Sequence, residues 1–165
     1  MTSLRYSYHQ SPVGPLLMAG EEAALWYLSF PTGSKTRQPH SDWQQDDGFF
    51  TEVSRQLDAY FAAELQEFEL SLHHEGTEFQ RTVWQALHSI PYGETLTYGE
   101  LAMRIKKPTA SRAVGAANGA NPLPIITPCH RVIGADRSLT GFGGGLECKS
   151  YLLVLEKQDL LTGLL

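Results

Sequence analysis

Cys129 lies in the run Thr127-Pro128-Cys129-His130-Arg131-Val132-Ile133, a setting that suits a nucleophile better than a packing residue. Pro128 fixes its own backbone angle and biases Thr127 towards an extended conformation, so a stiff chain sets the direction of the thiol. The thiolate is the reactive form of cysteine, and basic neighbours such as His130 and Arg131 would favour it. Consecutive side chains point apart in a strand and do not face one another in a short helix. A water bridging the thiol and the imidazole is therefore expected rather than direct contact. By the logic of nucleophile, base and orienter, the far side of His130 then needs a carboxylate, with Glu147, Glu156 and Asp136 as candidates. Cys148, with Leu152 and Leu155 nearby on a predicted helix, reads as structural.

The segments around Cys129 predict how it is held. Thr77-Glu78-Phe79-Gln80 and Thr97-Tyr98-Gly99-Glu100 both have the pattern of a capping box. The first opens a helix whose apolar stripe is Phe79, Val83, Leu87 and Ile90, widened by Trp84 and ended at Pro91-Tyr92-Gly93. The second opens a short helix to about residue 105. After the break at Lys107-Pro108-Thr109, Thr109 is expected to cap a third helix over 110–118, ended by Gly119. The last two form a helix-turn-helix pattern. In the third helix, Ala110-Ser111-Arg112-Ala113-Val114-Gly115-Ala116-Ala117, almost every side chain is small and only Arg112 is long. Several long polar side chains would be needed to read base edges. A slim helix with one arginine instead suits close groove contact, with Arg112 as a wedge replacing an extruded base. Asn121-Pro122-Leu123-Pro124-Ile125-Ile126 reads as a stiff apolar strap to the cysteine, tied by Asn121. After a hairpin expected around 135–139, the glycines of Gly141-Phe142-Gly143-Gly144-Gly145 form a pocket lip before a last helix over 146–156.

The first third reads as β, with strands at 4–9, 16–19 and 25–30. Residues 31–48 are expected as loop, 50–63 as a helix burying Val53, Leu57, Tyr60 and Phe61, and 68–72 as a return to the sheet. The sequence has 165 residues and a net charge of -5, and the charge is unevenly spread. Residues 1–76 hold 4 Lys/Arg and 11 Asp/Glu, whereas residues 77–165 hold 9 and 7, and the change falls at His73-His74-Glu75-Gly76. We therefore expect domains at 1–76 and 77–165, the second with a basic face suited to phosphates. No apolar stretch reaches membrane-spanning length, and the N-terminus has no signal-peptide core, so a cytoplasmic protein without a structural disulfide is expected.

Taken in order, Tyr98, Ser111-Arg112-Ala113-Val114-Gly115, Asn121-Pro122, Ile126 to Ile133, the glycine lip and Lys149 to Glu156 closely resemble the O6-alkylguanine-DNA alkyltransferases, in particular their short bacterial forms. The resemblance is strong over 77–158 and looser before it. It implies an α+β protein: a small ribonuclease-H-like α/β domain, then a helical domain with a winged helix-turn-helix-like motif. It implies minor-groove binding to double-stranded DNA carrying O6-alkylguanine, flipping of the damaged base, and one irreversible alkyl transfer to Cys129 by a monomer able to cluster on DNA, with no cofactor. It implies a water-linked relay through His130 and Glu156, with Asn121 bracing the turn and Lys149 supporting proton transfer. Arg112 would fill the gap left by the base, and Tyr98 would rotate the phosphate and donate to the base. Ala110, Ser111, Ala113 and Gly115 would line the DNA-facing helix. The carbonyls of Cys129 and Val132 would read the guanine amino group, and Gly143 and Gly144 would approach the base. Gly143 stands where some relatives carry serine, which predicts a looser lip. Some relatives bind zinc in the N-terminal domain, but the cysteine ligands are missing here, so no metal is expected.

Two rival readings remain at this level. A thiol hydrolase would need direct imidazole contact and an oxyanion hole. A DNA-binding regulator or damage sensor would bind without alkyl capture.

Overall fold

The computed structural model describes residues 3–136 and 142–163, with side chains through Lys157. Three strands follow one another as a meander: β1 (Arg5–Ser11), β2 (Gly14–Glu21) and β3 (Ala24–Ser29). Antiparallel pairing joins β1 to β2 and β2 to β3. The segment expected as pure loop contributes a two-residue strand, β4 (Gln44–Gln45), which pairs parallel with β1 and gives the order β3-β2-β1-β4. Its polar sequence carries no strand signal, and its pairing is set by where the loop returns along the β1 edge. The return expected at 68–72 shrinks to one bridge, in which the Leu25 and His73 amides donate to the Ser71 and Leu25 carbonyls. Helix α1 (Thr51–Phe61) buries Val53, Leu57 and Tyr60, as its spacing predicts, whereas Phe61 at its end is only half-buried.

In the second half the helices are α2 (Glu78–Leu87), α3 (Tyr98–Arg104), α4 (Ser111–Gly119) and α5 (Leu146–Gly163). Both expected capping boxes are present: Thr77 with Gln80, and Thr97 with Glu100, each satisfying two helix-end donors reciprocally. Thr109 does not cap α4. The cap position is Ala110, which has no side-chain acceptor, and the Ala110 amide donates to the Lys107 carbonyl. Gly119 is the last helical residue, and the stop comes at Ala120. A short parallel pair, β5 (Leu96–Thr97) with β6 (Val132–Ile133), fastens the start of α3 to the residues just after the cysteine.

One apolar core runs through both halves. Leu16, Met18, Leu28, Leu57 and Tyr60 of the first belong to the same buried cluster as Trp84, Leu101, Leu123, Cys129 and Leu152 of the second. The Trp84 indole donates to the Ala117 carbonyl at 2.8 Å, locking α2 to α4. The Leu28 amide donates to the Pro122 carbonyl, anchoring the strap to the sheet edge. Among the described residues, no helix is long and apolar enough to cross a membrane. The hairpin expected around 135–139 and Gly141 of the lip fall largely outside the described residues.

Candidate active site

The strap is a series of bends rather than an extended rod. The Thr127 amide reaches back to the Leu123 carbonyl, and Ile125 has φ +74°. A β-branched residue in the left-handed region is strained, and the surrounding contacts must hold it there. Asn121 supplies part of that hold, as expected: its amide donates to the Thr127 carbonyl at 2.8 Å and its oxygen accepts from the Leu123 amide at 3.0 Å. Thr127 is gripped again through its hydroxyl, which bonds the imidazoles of His74 at 3.1 Å and His88 at 3.0 Å. Cys129–Arg131 then form a single 3-10 turn, so the cysteine and histidine side chains diverge.

Cys129 is 5% exposed and lines a cavity of about 360 Å³ together with Asn121, Phe142, Gly143 and Gly144. Burial pushes its thiol up to about 11, against a hydrogen bond with Asn121 and the charge of Lys149, which both pull it down. The basic group acting on the thiol is thus Lys149. Arg131, expected to favour the thiolate, turns away to bond Glu156 through Nε at 2.9 Å and a terminal nitrogen at 3.1 Å. Lys149 is fully buried and donates from Nζ to the Val132 carbonyl at 2.6 Å. Burial brings its ammonium down to about 8, partly opposed by Cys129. The Cys129 carbonyl accepts from Asn118 at 3.3 Å. Of the two carbonyls expected to read a base, that of Val132 already holds the Lys149 donor, and that of Cys129 holds two, Asn118 and the Val132 amide.

Of the three carboxylates open as partners for His130, the structure selects Glu156: His130 Nε2 lies 2.7 Å from its Oε2. Both side chains are fully buried. Burial lowers the imidazole's proton affinity more than Glu156 restores it, so His130 is neutral. Burial raises Glu156, but hydrogen bonds and charge from His130 and Arg131 outweigh it and hold the carboxyl well below the usual range. An ionised Glu156 accepts the Nε2 proton, which leaves Nδ1 as the basic nitrogen. Nδ1 is buried and makes no hydrogen bond within the protein.

Tyr98 on α3, Ala110 at the cap of α4, and Ser111, Arg112, Ala113 and Gly115 on α4 lie apart from the cavity lining. Arg112, Ala113 and Ala116 are exposed while Val114, Ala117 and Asn118 are buried, so the outward face of α4 carries one long side chain among small ones. A β-carbon added at Gly115 would sit 3.7 Å from the Tyr98 ring, in ordinary contact.

One wall of the cavity was absent from the sequence reading. Residues Leu28 to Phe30 and Lys35 to Arg37, from the β3 end and the loop after it, face Cys129 across the space. The Lys35 amide donates to the Gly143 carbonyl at 3.0 Å and the Thr32 hydroxyl to the Gly144 carbonyl at 3.3 Å, so the lip is tied down where looseness was expected. Gly33 has φ +99°, and a β-carbon there would collide with the Gly143 carbonyl. At Gly144 a β-carbon would run into the Phe30 ring, itself packed edge-on to Phe142. Gly144→Ala is expected to cost about 1–3 kcal/mol by overpacking, read by urea unfolding, and to slow chemistry at Cys129 by displacing the lip. Unchanged stability would mean that the lip and loop separate freely.

Comparison with known proteins agrees with this geometry. Residues 4–73 match the family model "6-O-methylguanine DNA methyltransferase, ribonuclease-like domain", and residues 78–158 match that family's "DNA binding domain". The methylated-DNA–protein-cysteine methyltransferase of Methanosarcina acetivorans is 55% identical over 92% of this chain and 97% of its own. That of Mycobacterium leprae is 53% identical over 93% of each. The crystal structure of Mycobacterium tuberculosis OGT in complex with DNA superposes with a TM-score of 0.87 at 49% identity, covering 96% of this chain and 94% of the other. A cysteine backed by histidine and glutamate, set in this two-part fold and matched along nearly its whole length, places the chain in the methylated-DNA–protein-cysteine methyltransferase family.

Proposed function

We propose that this protein repairs DNA by direct reversal, moving the alkyl group from O6 of a guanine in duplex DNA to Sγ of its own Cys129. The observation that carries this reading is the thiol at the wall of an open cavity, backed by a neutral imidazole whose basic nitrogen has no protein partner. The thiol proton passes to His130 Nδ1 through one water, and Glu156 steadies the imidazolium. Sulfur then attacks the alkyl carbon in line. The S–C bond forms, the C–O6 bond breaks, and its electron pair enters the purine, which takes up a proton with help from the Tyr98 phenol. Asn121 and Lys149 favour the developing thiolate. The product thioether has no good leaving group, so each molecule acts once.

Delivery of the base rests on the second half, residues 77–165, with residues 1–76 supplying the far wall of the cavity. The small outer face of α4 allows close approach through the minor groove, and Arg112 takes the place of the extruded nucleotide. The Val132 carbonyl, and that of Cys129 as it gives up its long bond from Asn118, accept from the guanine amino group, and the lip at Gly143 and Gly144 lies against the base. We read the protein as a cytoplasmic monomer that can cluster along DNA, and O4-alkylthymine as a second substrate.

The test is intact mass after mixing with an equimolar duplex carrying one O6-methylguanine. A single added methyl mapping to Cys129, at most one per molecule and absent with undamaged DNA, is the expected result. Lesion-selective binding without any adduct would overturn the transferase reading and leave a damage sensor.

A further inference from the structure

The site is completed by a side chain from the first half of the chain. Tyr60, on α1, is fully buried and donates its hydroxyl to Glu156 Oε2 at 2.6 Å, across 96 residues of sequence. That oxygen is the one facing His130 Nε2 at 2.7 Å, and it also accepts from Arg131 at 3.1 Å. The other oxygen accepts from Arg131 Nε at 2.9 Å and from the Gly93 amide at 3.2 Å. A carboxylate offers about four lone-pair positions. Five donors therefore saturate Glu156, and every donor besides His130 weakens its pull on the imidazole.

We infer that Tyr60 is a positioning residue for the alkyl-acceptor reaction: by sharing Oε2 with His130, it tempers the basicity of the imidazole that draws the proton from Cys129. The inference rests on the proposed role of the His130–Glu156 pair. Tyr60 is suited to the task because it stays a donor. Burial and the adjacent Glu156 charge raise its phenol well above the ordinary value, so it does not ionise in the working range. Its ring is fixed by Phe61 at 5.3 Å, Phe68 at 5.4 Å and Tyr92 at 6.3 Å. The charged or titratable groups around the pair are Arg131, Lys149, Tyr92 and Cys129 itself.

Without the Tyr60 hydroxyl, Glu156 binds the imidazolium more strongly, so His130 is protonated, and lost as a base, at a higher pH. The acid limb of thiol reactivity in Tyr60→Phe should move up by about one pH unit. Site-specific 3-fluorotyrosine at position 60 is a more acidic phenol and a stronger donor, and should move the limb down. Phe68→Leu disturbs the packing around Tyr60 without touching Glu156 and should leave the limb in place. The rate of Cys129 alkylation by iodoacetamide, followed against pH by peptide mass, reads this without DNA. Failure of methyl transfer from DNA would therefore not be mistaken for failure of the Tyr60 role. Opposite shifts for the phenylalanine and fluorotyrosine forms, each shown to be folded by a cooperative urea transition, support the inference. An unmoved limb in either folded form, or a shift in Phe68→Leu equal to that in Tyr60→Phe, overturns it.

Discussion

Cys129→Ser should abolish methyl transfer, a loss of about 10⁴-fold or more on the scale of removing an enzyme nucleophile, while lesion-selective DNA binding persists. The chemistry and the binding surfaces are separate enough to make this a clean division. The groups expected to meet DNA lie on α3 and α4, whereas Cys129 lies on its own turn behind Asn121 and the glycine lip. A serine hydroxyl is a far weaker nucleophile than a thiol, and the site is built around a thiol that is itself not preformed as thiolate. With its pKa near 11, only about one molecule in ten thousand would carry the anion unaided at pH 7. The proton must leave during the reaction through His130, and even with that help an alcohol oxygen is the less polarisable and poorer nucleophile towards an alkyl carbon. The serine hydroxyl can keep a bond to Asn121, so stability should change by no more than about 1 kcal/mol. Labelled-methyl transfer and fluorescence anisotropy on the same lesion duplex provide the two readouts. Cys148→Ser is the matched control: it sits on α5 among apolar neighbours and should transfer normally. Transfer surviving in Cys129→Ser but lost in Cys148→Ser would place the acceptor on the wrong cysteine.

The parts of this site that were legible in the sequence are those fixed by local chemistry. Both capping boxes use a threonine and an acceptor three residues on, and both formed. Asn121 was readable because an asparagine before proline at a turn bonds nearby backbone, which it does at Thr127 and Leu123. The choice among Glu147, Glu156 and Asp136 was not readable from residue types. It depends on the angle at which α5 crosses the turn at Cys129, and only the family resemblance singled out Glu156. Arg131 was misjudged because adjacency along the chain says little about direction: in the 3-10 turn its guanidinium faces Glu156 and the Ile90 carbonyl, not the thiol. Tyr60 carried the signature of a core helix face, which it also is, and nothing local marks a hydroxyl that finds its partner 96 residues away. The wall formed by residues 28–37 was hidden for the same reason. Its one sequence signal is Gly33 in a polar loop, and the demand for glycine there comes from the Gly143 carbonyl on the opposite side of the fold.

Glu156→Gln should be the most damaging single change to both stability and chemistry. The carboxylate is fully buried and receives Tyr60, His130, two of the three guanidinium nitrogens of Arg131 and the Gly93 amide. An amide in its place leaves the Arg131 charge uncompensated in the core, at a cost of about 3–5 kcal/mol. It also brings an N–H donor to a site crowded with donors. If that donor meets His130 Nε2, the imidazole proton is driven to Nδ1, the base is lost, and transfer fails even in molecules that remain folded. The pH dependence separates this account from simple misfit. His130 is depressed below its unfolded value of 6.5, so the folded state binds fewer protons than the unfolded one as pH falls, and stability drops below about pH 6.5 in wild type and variant alike. Glu156 is depressed from 4.5, so its contribution is fully present above that value and is lost only as pH falls further. The stability gap between wild type and Glu156→Gln, measured by urea unfolding, should therefore be widest near pH 6–7 and narrow below about pH 4.5. A gap that stays constant down to pH 3 would mean that the carboxylate contributes shape rather than charge. Glu156 would then not stand ionised behind His130.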